Sequence, residues 1–143
     1  MRAISALSLL ILILLISTAQ AQYDLETWNE KGWSSLDQGR YEEAIKFFDQ
    51  AISLAPDFGC PYNGKGLALA ALGRYDESID AFNRSLQLVA DNPDAWSNMG
   101  IGLFLLKRYD ESLRPLEKAI AMKPFLFSEY DAILYSKIYL CMK

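Results

Sequence analysis

Apolar side chains recur at three- and four-residue steps along most of the chain, with polar residues between them. Leu69 and Leu72 are followed after a short interruption by Ile79, Phe82 and Leu86, which keep the same spacing. A spacing of this kind places apolar residues on one face of a helix. The pattern predicts six amphipathic helices, at residues 25–38, 41–54, 59–72, 75–88, 93–106 and 109–122.

The helical pattern repeats with a constant period of 34 residues. An aromatic residue, a glycine and an Arg-Tyr pair followed by two acidic residues each return at this interval. A fixed period of roughly 20–50 residues is typical of stacked supersecondary units, so the period favours binding over catalysis. The recurring residues are Trp28, Tyr62 and Trp96; Gly32, Gly66 and Gly100; and Arg40-Tyr41, Arg74-Tyr75 and Arg108-Tyr109.

These positions resemble the tetratricopeptide repeat, in which an aromatic residue, Leu-Gly, Tyr, Ala, Phe and Pro follow one another over about 34 residues. In the first copy the matching residues include Trp28, Gly32, Tyr41, Ala44, Phe48, Ala51 and Pro56. The resemblance implies an all-α solenoid of three helix-turn-helix repeats, at residues 25–58, 59–92 and 93–126. Lys107 departs from the pattern where a glycine is expected to end the first helix of the third repeat.

Individual residues predict local details of these helices. Gly39 and Gly73 suit the left-handed conformation that follows a helix end. The acidic pairs fall in the first turn of each second helix, where carboxylates complement the helix dipole. The three periodic glycines lie inside first helices, where glycine costs roughly 1 kcal/mol relative to alanine, so we expect close approach by the backbone of the paired helix. Pro115 lies inside a second helix and is expected to kink it.

Residues 1–21 have the features of a secretory signal peptide. Arg2 precedes an apolar run from Ile4 to Ile16, and Ala19-Gln20-Ala21 fits a small-residue cleavage site. Cleavage after Ala21 predicts an exported protein, located in the periplasm, in the cell envelope or outside the cell. The alternative is an uncleaved membrane anchor, although the apolar run is shorter than the roughly 20 residues that span a bilayer.

Residues 127–143 continue the helical pattern beyond the third repeat. Tyr130, Ile133, Leu134 and Ile138 recur on one side of this segment. We expect a C-terminal capping helix that covers the apolar edge of the third repeat, because terminal repeats need such a cap for solubility. The alternative is a docking helix for another protein.

Composition and residue usage exclude several classes of function. The chain has 14 basic and 18 acidic residues, a net charge of −4, whereas nucleic-acid binding needs a basic surface. It contains no histidine, and Cys60 and Cys141 lie too far apart along the repeats for a zinc cluster or an intramolecular disulfide. Neither a catalytic constellation nor a glycine-rich phosphate loop is found. We therefore expect no enzymatic activity, no metal and no cofactor.

The resemblance also implies where a partner binds. In tetratricopeptide proteins the first helices line a concave groove that holds a peptide. Asparagine can hydrogen-bond a peptide backbone with its carbonyl or its amide, and aromatic rings dominate many binding energies. Trp33 and Phe104 could instead belong to the core. The predicted groove residues are Asn29, Trp33, Leu36, Asn63, Leu67, Ser97, Asn98, Ile101 and Phe104.

The charges of the groove exclude one subtype of the family. Tetratricopeptide domains that grip the C-terminal carboxylates of cytosolic chaperones use lysine, arginine and asparagine at five positions. The corresponding residues in this chain are Asn29, Trp33, Gly64, Asp94 and Asn98. None of them is a cation, and Asp94 would repel a carboxylate.

The sequence therefore predicts an exported module that binds a protein segment in its groove, as an adaptor or assembly factor. Contact with a membrane is expected only through the N-terminal leader, if that segment is retained. The alternative is a structural scaffold of the cell envelope that self-associates end to end or through its C-terminal helix. A third interpretation is a binding site for a small apolar ligand.

Overall fold

The computed structural model describes residues 6–123 of the chain. Six α-helices joined by short turns make up this described part: α1 (Ala6–Asp37), α2 (Tyr41–Leu54), α3 (Gly59–Ala71), α4 (Tyr75–Leu88), α5 (Pro93–Leu105) and α6 (Tyr109–Met122). Helices α1 and α2, α3 and α4, and α5 and α6 pack as pairs, and each pair is one repeat. Neighbouring repeats meet through α2 and α3 and through α4 and α5. The all-α solenoid of helical hairpins is confirmed, whereas the predicted capping segment at residues 127–143 lies outside the described residues.

Helix boundaries agree closely with the prediction in all but one place. The second helices α2, α4 and α6 span the predicted residues, and α6 continues as one helix through the buried Pro115. The first helices α3 and α5 end one residue earlier than predicted. Helix α1, however, begins at Ala6 rather than at residue 25. The apolar leader and the first repeat are continuous because residues 17–24 contain neither glycine nor proline to stop a helix.

The apolar half of α1 is exposed along its length. Its leucine and isoleucine side chains between residues 7 and 16 are 49–67% exposed. The segment Leu7–Asp37 is long and apolar enough to cross a membrane, judged by length and composition, and a signal sequence near the N-terminus meets the same criteria. A cleaved leader and a retained anchor are both compatible with this helix.

Each first helix ends in a residue with left-handed backbone. Gly39 and Gly73 have φ angles of 72° and 76°, as predicted, and Lys107 has a φ of 61° at the same position of the third repeat. In all three turns the amide of the next arginine donates to a carbonyl five residues earlier, at 2.9 Å. This is the hydrogen bond of a Schellman motif, and it requires the left-handed residue. Lys107 therefore adopts a conformation that suits glycine.

The periodic glycines make room for one large side chain from the second helix of the same repeat. A Cβ added to any of these glycines would lie far too close to that side chain. The distance from the added Cβ to the nearest side-chain atom is 2.5 Å for Gly32 and Phe48, 2.6 Å for Gly66 and Phe82, and 2.6 Å for Gly100 and Leu116. The three side chains are at most 1% exposed. The expected close approach by a backbone is therefore wrong at Gly32 and Gly66, where the nearest atoms all belong to a phenylalanine ring. At Gly100 it is met in part, because a Cβ there would also lie 3.3 Å from the backbone nitrogen of Leu116.

Phe48 also joins the first repeat to the second. A Cβ added at Gly64 of α3 would collide with the same ring that already occupies the space beside Gly32 of α1. The ring is fully buried, in a cluster with Ile45 and Leu69. One side chain of α2 thus fixes the distance between two neighbouring first helices, whose outer surfaces carry the predicted groove residues.

Candidate functional site

The first helices of the three repeats lie side by side and form one surface of the solenoid. Helix α1 contacts α3, and α3 contacts α5. All nine predicted groove residues lie on these helices, and apart from the consecutive Ser97 and Asn98 they follow three- and four-residue steps, which place them on one side of each helix. Eight are half-buried and Asn63 is buried. We call the surface formed by these nine residues the groove face.

Trp33 contributes an aromatic ring to the groove face in the first repeat. The ring meets Phe48 edge-on, with centroids 5.5 Å apart and 77° between the planes. Trp33 is nevertheless only half-buried. Part of the ring packs on the core while the rest reaches the surface. Trp33 is therefore both a core residue and a residue of the groove face.

Phe104 contributes the aromatic ring at the opposite end of the groove face, in the third repeat. Its ring centroid lies 5.3 Å from that of Tyr109, and the side chain packs against the buried Leu116. Like Trp33 it is half-buried. The groove face therefore carries an anchored aromatic ring at each end.

Asn29, Asn63 and Ser97 occupy the same position in the three repeats. Asn63 is only 9% exposed. The Oδ1 atoms of Asn29 and Asn63 are buried, and no hydrogen-bond donor among the described residues reaches either of them. A buried acceptor without a donor costs roughly 1–3 kcal/mol. Two unpaired amide oxygens at the same place in neighbouring repeats are therefore the most distinctive polar feature of the groove face.

A cavity of about 390 Å³ opens beside Asn29, between α1 and the turn that joins α2 to α3. Glu26 and Asp57 contribute carboxylates to its lining, and Phe58 contributes a ring that is 39% exposed. Asp57 and Phe58 lie in a turn outside the helical pattern, so the sequence did not point to them. A phenylalanine next to Pro56 and Asp57 in a turn is the signal that could have done so.

Two of the positions that correspond to the chaperone clamp are closed to a carboxylate. Gly64 has no side chain, and the ring of Phe48 fills the space where one would project. Asp94 accepts hydrogen bonds from Lys123 Nζ at 2.9 and 3.1 Å. Lys123 was not singled out from the sequence, because it lies on the turn after α6, 29 residues from its partner. The geometry offers a carboxylate no favourable contact at either position.

The periodic arginines form a charge ladder at the starts of the second helices. Within repeats the arginine bonds the glutamate three residues later: Arg40 to Glu43 at 2.8 Å, Arg74 to Glu77 at 2.6 Å and Arg108 to Glu111 at 2.7 Å. Between repeats the ion pairs are Arg74 to Glu42 at 3.9 Å and Arg108 to Asp76 at 3.7 Å. Each arginine is neutralised locally by these pairs, which leaves the row without a free charge for an anion.

Hydrogen bonds within the ladder shift the titration of its members. The bond from Arg74 lowers the pKa of Glu77, and the same bond raises the pKa of Arg74. Arg108 and Glu111 shift each other in the same way. All four groups lie at the surface, so these pairs are screened by solvent and salt.

Within residues 6–123 there is no group of three or more cysteine, aspartate, glutamate or histidine side chains that could hold a metal ion. Cys60 is a half-buried free thiol, and Cys141 lies outside the described residues.

Models of known protein families match the chain across all three helical pairs. One tetratricopeptide repeat model matches residues 25–58, and a second model of the same repeat matches residues 57–124. The chain belongs to the tetratricopeptide repeat family. No curated protein matches this tetratricopeptide repeat chain significantly in sequence.

Solved tetratricopeptide domains share the fold of the chain. The Arabidopsis OM64 domain superposes with a TM-score of 0.80 at 17% identity, over 85% of this chain and 98% of that one. The TPR2B domain of yeast Sti1, in complex with pHsp70, gives 0.77 at 20% identity, over 83% and 98%. The second domain of human RPAP3, in complex with the HSP70 peptide SGPTIEEVD, gives 0.76 at 17% identity, over 83% and 98%. At these identities the similarity establishes the fold alone.

Proposed function

We propose that this tetratricopeptide repeat protein is a non-enzymatic module that holds an extended segment of another protein on its groove face. The observation that carries the proposal is the set of half-buried side chains on the groove face, which includes the rings of Trp33 and Phe104 and the amides of Asn29 and Asn98. An extended peptide offers backbone N–H donors at regular intervals and apolar side chains between them. Both features complement the groove face.

The chemistry of the segment follows from the groove face. The Sti1 and RPAP3 domains named above are complexed with Hsp70 or an HSP70 peptide, which supports peptide binding by the shared fold. The present chain, however, closes the clamp at Gly64 and places Asp94 where a cation would be needed. We therefore propose an apolar, uncharged segment internal to its protein rather than an acidic C-terminus.

We further propose that the module works outside the cytoplasm, as an adaptor or assembly factor of the cell envelope. The support is the exposed apolar half of α1, preceded by Arg2 and followed by Ala19-Gln20-Ala21. These are the parts of a signal peptide. If the segment is retained, the same helix anchors the repeats at a membrane.

A peptide-display selection tests the groove face. Random twelve-residue peptides with blocked ends are selected against the full-length chain in a neutral detergent, and the affinity of the selected peptides is measured by calorimetry. We expect the selected peptides to be apolar. We expect Trp33→Ala to weaken their affinity by about tenfold or more, since buried aromatic anchors dominate interfaces. Asn98→Ala provides a second variant at a half-buried polar position.

Trp28→Ala is the matched control, because Trp28 stacks on Phe47 outside the groove face, with centroids 5.7 Å apart. Circular dichroism checks that each variant remains helical. Equal affinity of wild type, Trp33→Ala and Asn98→Ala would show that the groove face does not bind the peptide.

Self-association is the competing function, because the C-terminal segment or the ends of the stack could join two copies. Light scattering of the chain with and without residues 127–143 separates the two functions. A monomer in both forms removes the scaffold, whereas an oligomer that blocks peptide binding would favour it.

A further inference from the structure

A second recess lies on the side of α5 that faces away from the groove face. It is a cavity of about 420 Å³ between α4, α5 and α6. Trp96, Met99 and Leu103 of α5 line it. At 100° per residue these side chains point roughly opposite to Ser97 and Ile101, the groove residues of the same helix. We call this recess the basic cleft, because of the charges at its rim.

Two cations at the rim of the basic cleft have no carboxylate partner among the described residues. Arg114 and Lys118 line the cleft from successive turns of α6, and neither makes an ion pair there. A third cation, Arg108, is neutralised by Glu111 within the charge ladder. Lys118 Nζ lies 4.1 Å from the ring centroid of Trp96. The cleft thus combines an aromatic floor with two positive charges that no carboxylate of residues 6–123 cancels, in a chain whose net charge is −4.

The corresponding place in the second repeat carries a different balance of charge. There a cavity of about 310 Å³ is lined by Tyr62, and Arg84, at the position of Lys118, lies 5.9 Å from the Tyr62 ring centroid. Asp80, however, stands where the third repeat has Arg114, and Lys65, which also lines that cavity, is bound by Asp49 at 2.6 Å. The excess of positive charge therefore distinguishes the third repeat from the second.

The first repeat fills the same place with its own side chains. Phe47 occupies the position that corresponds to Pro115 of the third repeat, and its ring stacks on Trp28 at 5.7 Å. Lys31 lies 4.5 Å above the Trp28 ring. Lys46 stands at the position of Arg114 in this repeat, so the first repeat carries a cation here too, but Phe47 covers Trp28 where the third repeat has Pro115.

We propose that the basic cleft binds an acidic peptide segment of a partner protein, with one apolar side chain against Trp96 and flanking carboxylates on Arg114 and Lys118. Charge complementarity selects the acidic segment, and a guanidinium can bind a carboxylate through two parallel hydrogen bonds. The floor is recessed between α4 and α6, so a single side chain can reach Trp96 where a flat bilayer surface cannot. This site is independent of the groove face and takes a segment of opposite character.

Fluorescence anisotropy with a defined probe tests the basic cleft. The probe is a peptide of glutamate and aspartate around one phenylalanine, blocked at both ends and labelled with an uncharged dye, titrated with the full-length chain in a neutral detergent. We expect saturable binding that weakens with added salt, because the contacts are charged and exposed. Arg114→Asp is expected to weaken binding of the probe by about tenfold or more, and Lys118→Gln is expected to weaken it as well. Aspartate suits this position of the fold, since Asp80 holds it in the second repeat.

The controls separate this site from the groove face and from other occupants. Trp33→Ala is expected to retain full affinity for the acidic probe, and a lysine counterpart of the probe is expected not to bind. Unchanged affinity in Arg114→Asp, or no saturable binding by wild type up to about 1 mM, overturns the proposal. Binding to anionic phospholipid vesicles without binding to the acidic probe would also overturn it. So would a dimer that forms without peptide and that Arg114→Asp dissociates.

Discussion

Lys107 is the residue at which the third repeat departs most clearly from the other two. It holds a φ of 61° where Gly39 and Gly73 hold 72° and 76°. The left-handed conformation costs a residue with a Cβ roughly 1–2 kcal/mol. The turn keeps this conformation because the amide of Arg108 needs it to reach the carbonyl of Leu103.

Replacing Lys107 by glycine is therefore expected to stabilise the repeats. We expect Lys107→Gly to raise the free energy of unfolding by about 1 kcal/mol, less than the full strain because glycine also gains freedom in the unfolded chain. Urea denaturation followed by circular dichroism measures the change. The reverse substitution Gly73→Lys is expected to lower stability by a similar amount. A urea midpoint for Lys107→Gly at or below that of wild type would contradict the argument.

Gly100 and Gly102 of α5 offer a matched test of the glycine contacts. A Cβ at Gly100 would lie 2.6 Å from Leu116 Cγ and 3.3 Å from the Leu116 backbone nitrogen, whereas one at Gly102 would lie 3.5 Å from Ile79. We expect Gly100→Ala to lower the free energy of unfolding by about 1–3 kcal/mol through overpacking. Gly102→Ala is expected to raise it by up to about 1 kcal/mol, as alanine is the better helix former. Shifts of the same sign in urea denaturation would refute the distinction.

The sequence predicts which residues recur, but not which atoms they meet. The period identifies Gly32 as special, and only the structure shows that the Phe48 ring, rather than a backbone, occupies the space beside it. The ion pair of Asp94 with Lys123 could not be predicted either. It depends on the relative rotation of two helices and on one flexible side chain, and neither leaves a periodic signal in the sequence.

At the scale of helices, the charge ladder connects the starts of α2, α4 and α6. Each arginine bonds a glutamate of its own helix, and two of them also reach an acidic residue of the preceding second helix. Exposed ion pairs usually contribute less than about 1 kcal/mol each, although a network of several pairs contributes more than isolated ones. The ladder therefore adds little to the stability of the fold, and salt weakens what it adds.

The lowered pKa values of Glu77 and Glu111 predict a loss of stability in acid. A group whose pKa is lower in the folded chain stabilises the fold above its unfolded pKa, about 4.3 for glutamate, and loses that contribution as the pH falls through the folded value. The double variant Glu77→Gln/Glu111→Gln lacks these two titrations. Between pH 6 and pH 3 we expect its urea midpoint to fall less than that of wild type, by an amount that shrinks in high salt.

Asp91→Asn is the control for this pH series, because Asp91 is an exposed turn residue outside the ladder. Its pH profile is expected to follow that of wild type. Parallel profiles for wild type and the double glutamine variant would show that the ladder does not titrate with the fold.

Helix boundaries could be predicted where short motifs mark them, and not elsewhere. The Arg-Tyr pairs with their acidic neighbours place the starts of the second helices correctly, because they combine a turn residue with carboxylates that suit a helix N-terminus. The sequence prediction of the start of α1 was wrong, because the leader and the first repeat have different patterns of apolar residues. The leader is apolar on all sides and the repeat is amphipathic, yet nothing between them interrupts the backbone hydrogen bonds.

At the scale of the molecule, the described residues present two surfaces of different chemistry and the exposed apolar half of α1. The groove face carries aromatic and asparagine side chains from the first helices, and its residues could be chosen from the repeat pattern because those positions recur. The basic cleft could not, since it depends on a combination found in the third repeat: Arg114, where the second repeat has Asp80, and Pro115, where the first has Phe47. Differences among repeats therefore add to the binding chemistry that the shared pattern supplies.

The boundary between leader and repeats yields a prediction for the whole chain. Residues 7–16 are exposed, whereas Leu25 is 8% exposed and is the first buried residue of α1 in the described structure. Residues 7–21 are all exposed and therefore contribute no core contact. We expect residues 22–143 and the full chain, in the same neutral detergent, to unfold thermally within about 2 °C of each other, since 1 kcal/mol shifts the midpoint of a small domain by roughly 4 °C. Removing residues 1–36 deletes the partner of Phe48 and is expected to abolish cooperative unfolding. A large drop on removal of residues 1–21 alone would mean that the apolar segment packs against the repeats, and such a segment could be neither a discarded leader nor a free anchor.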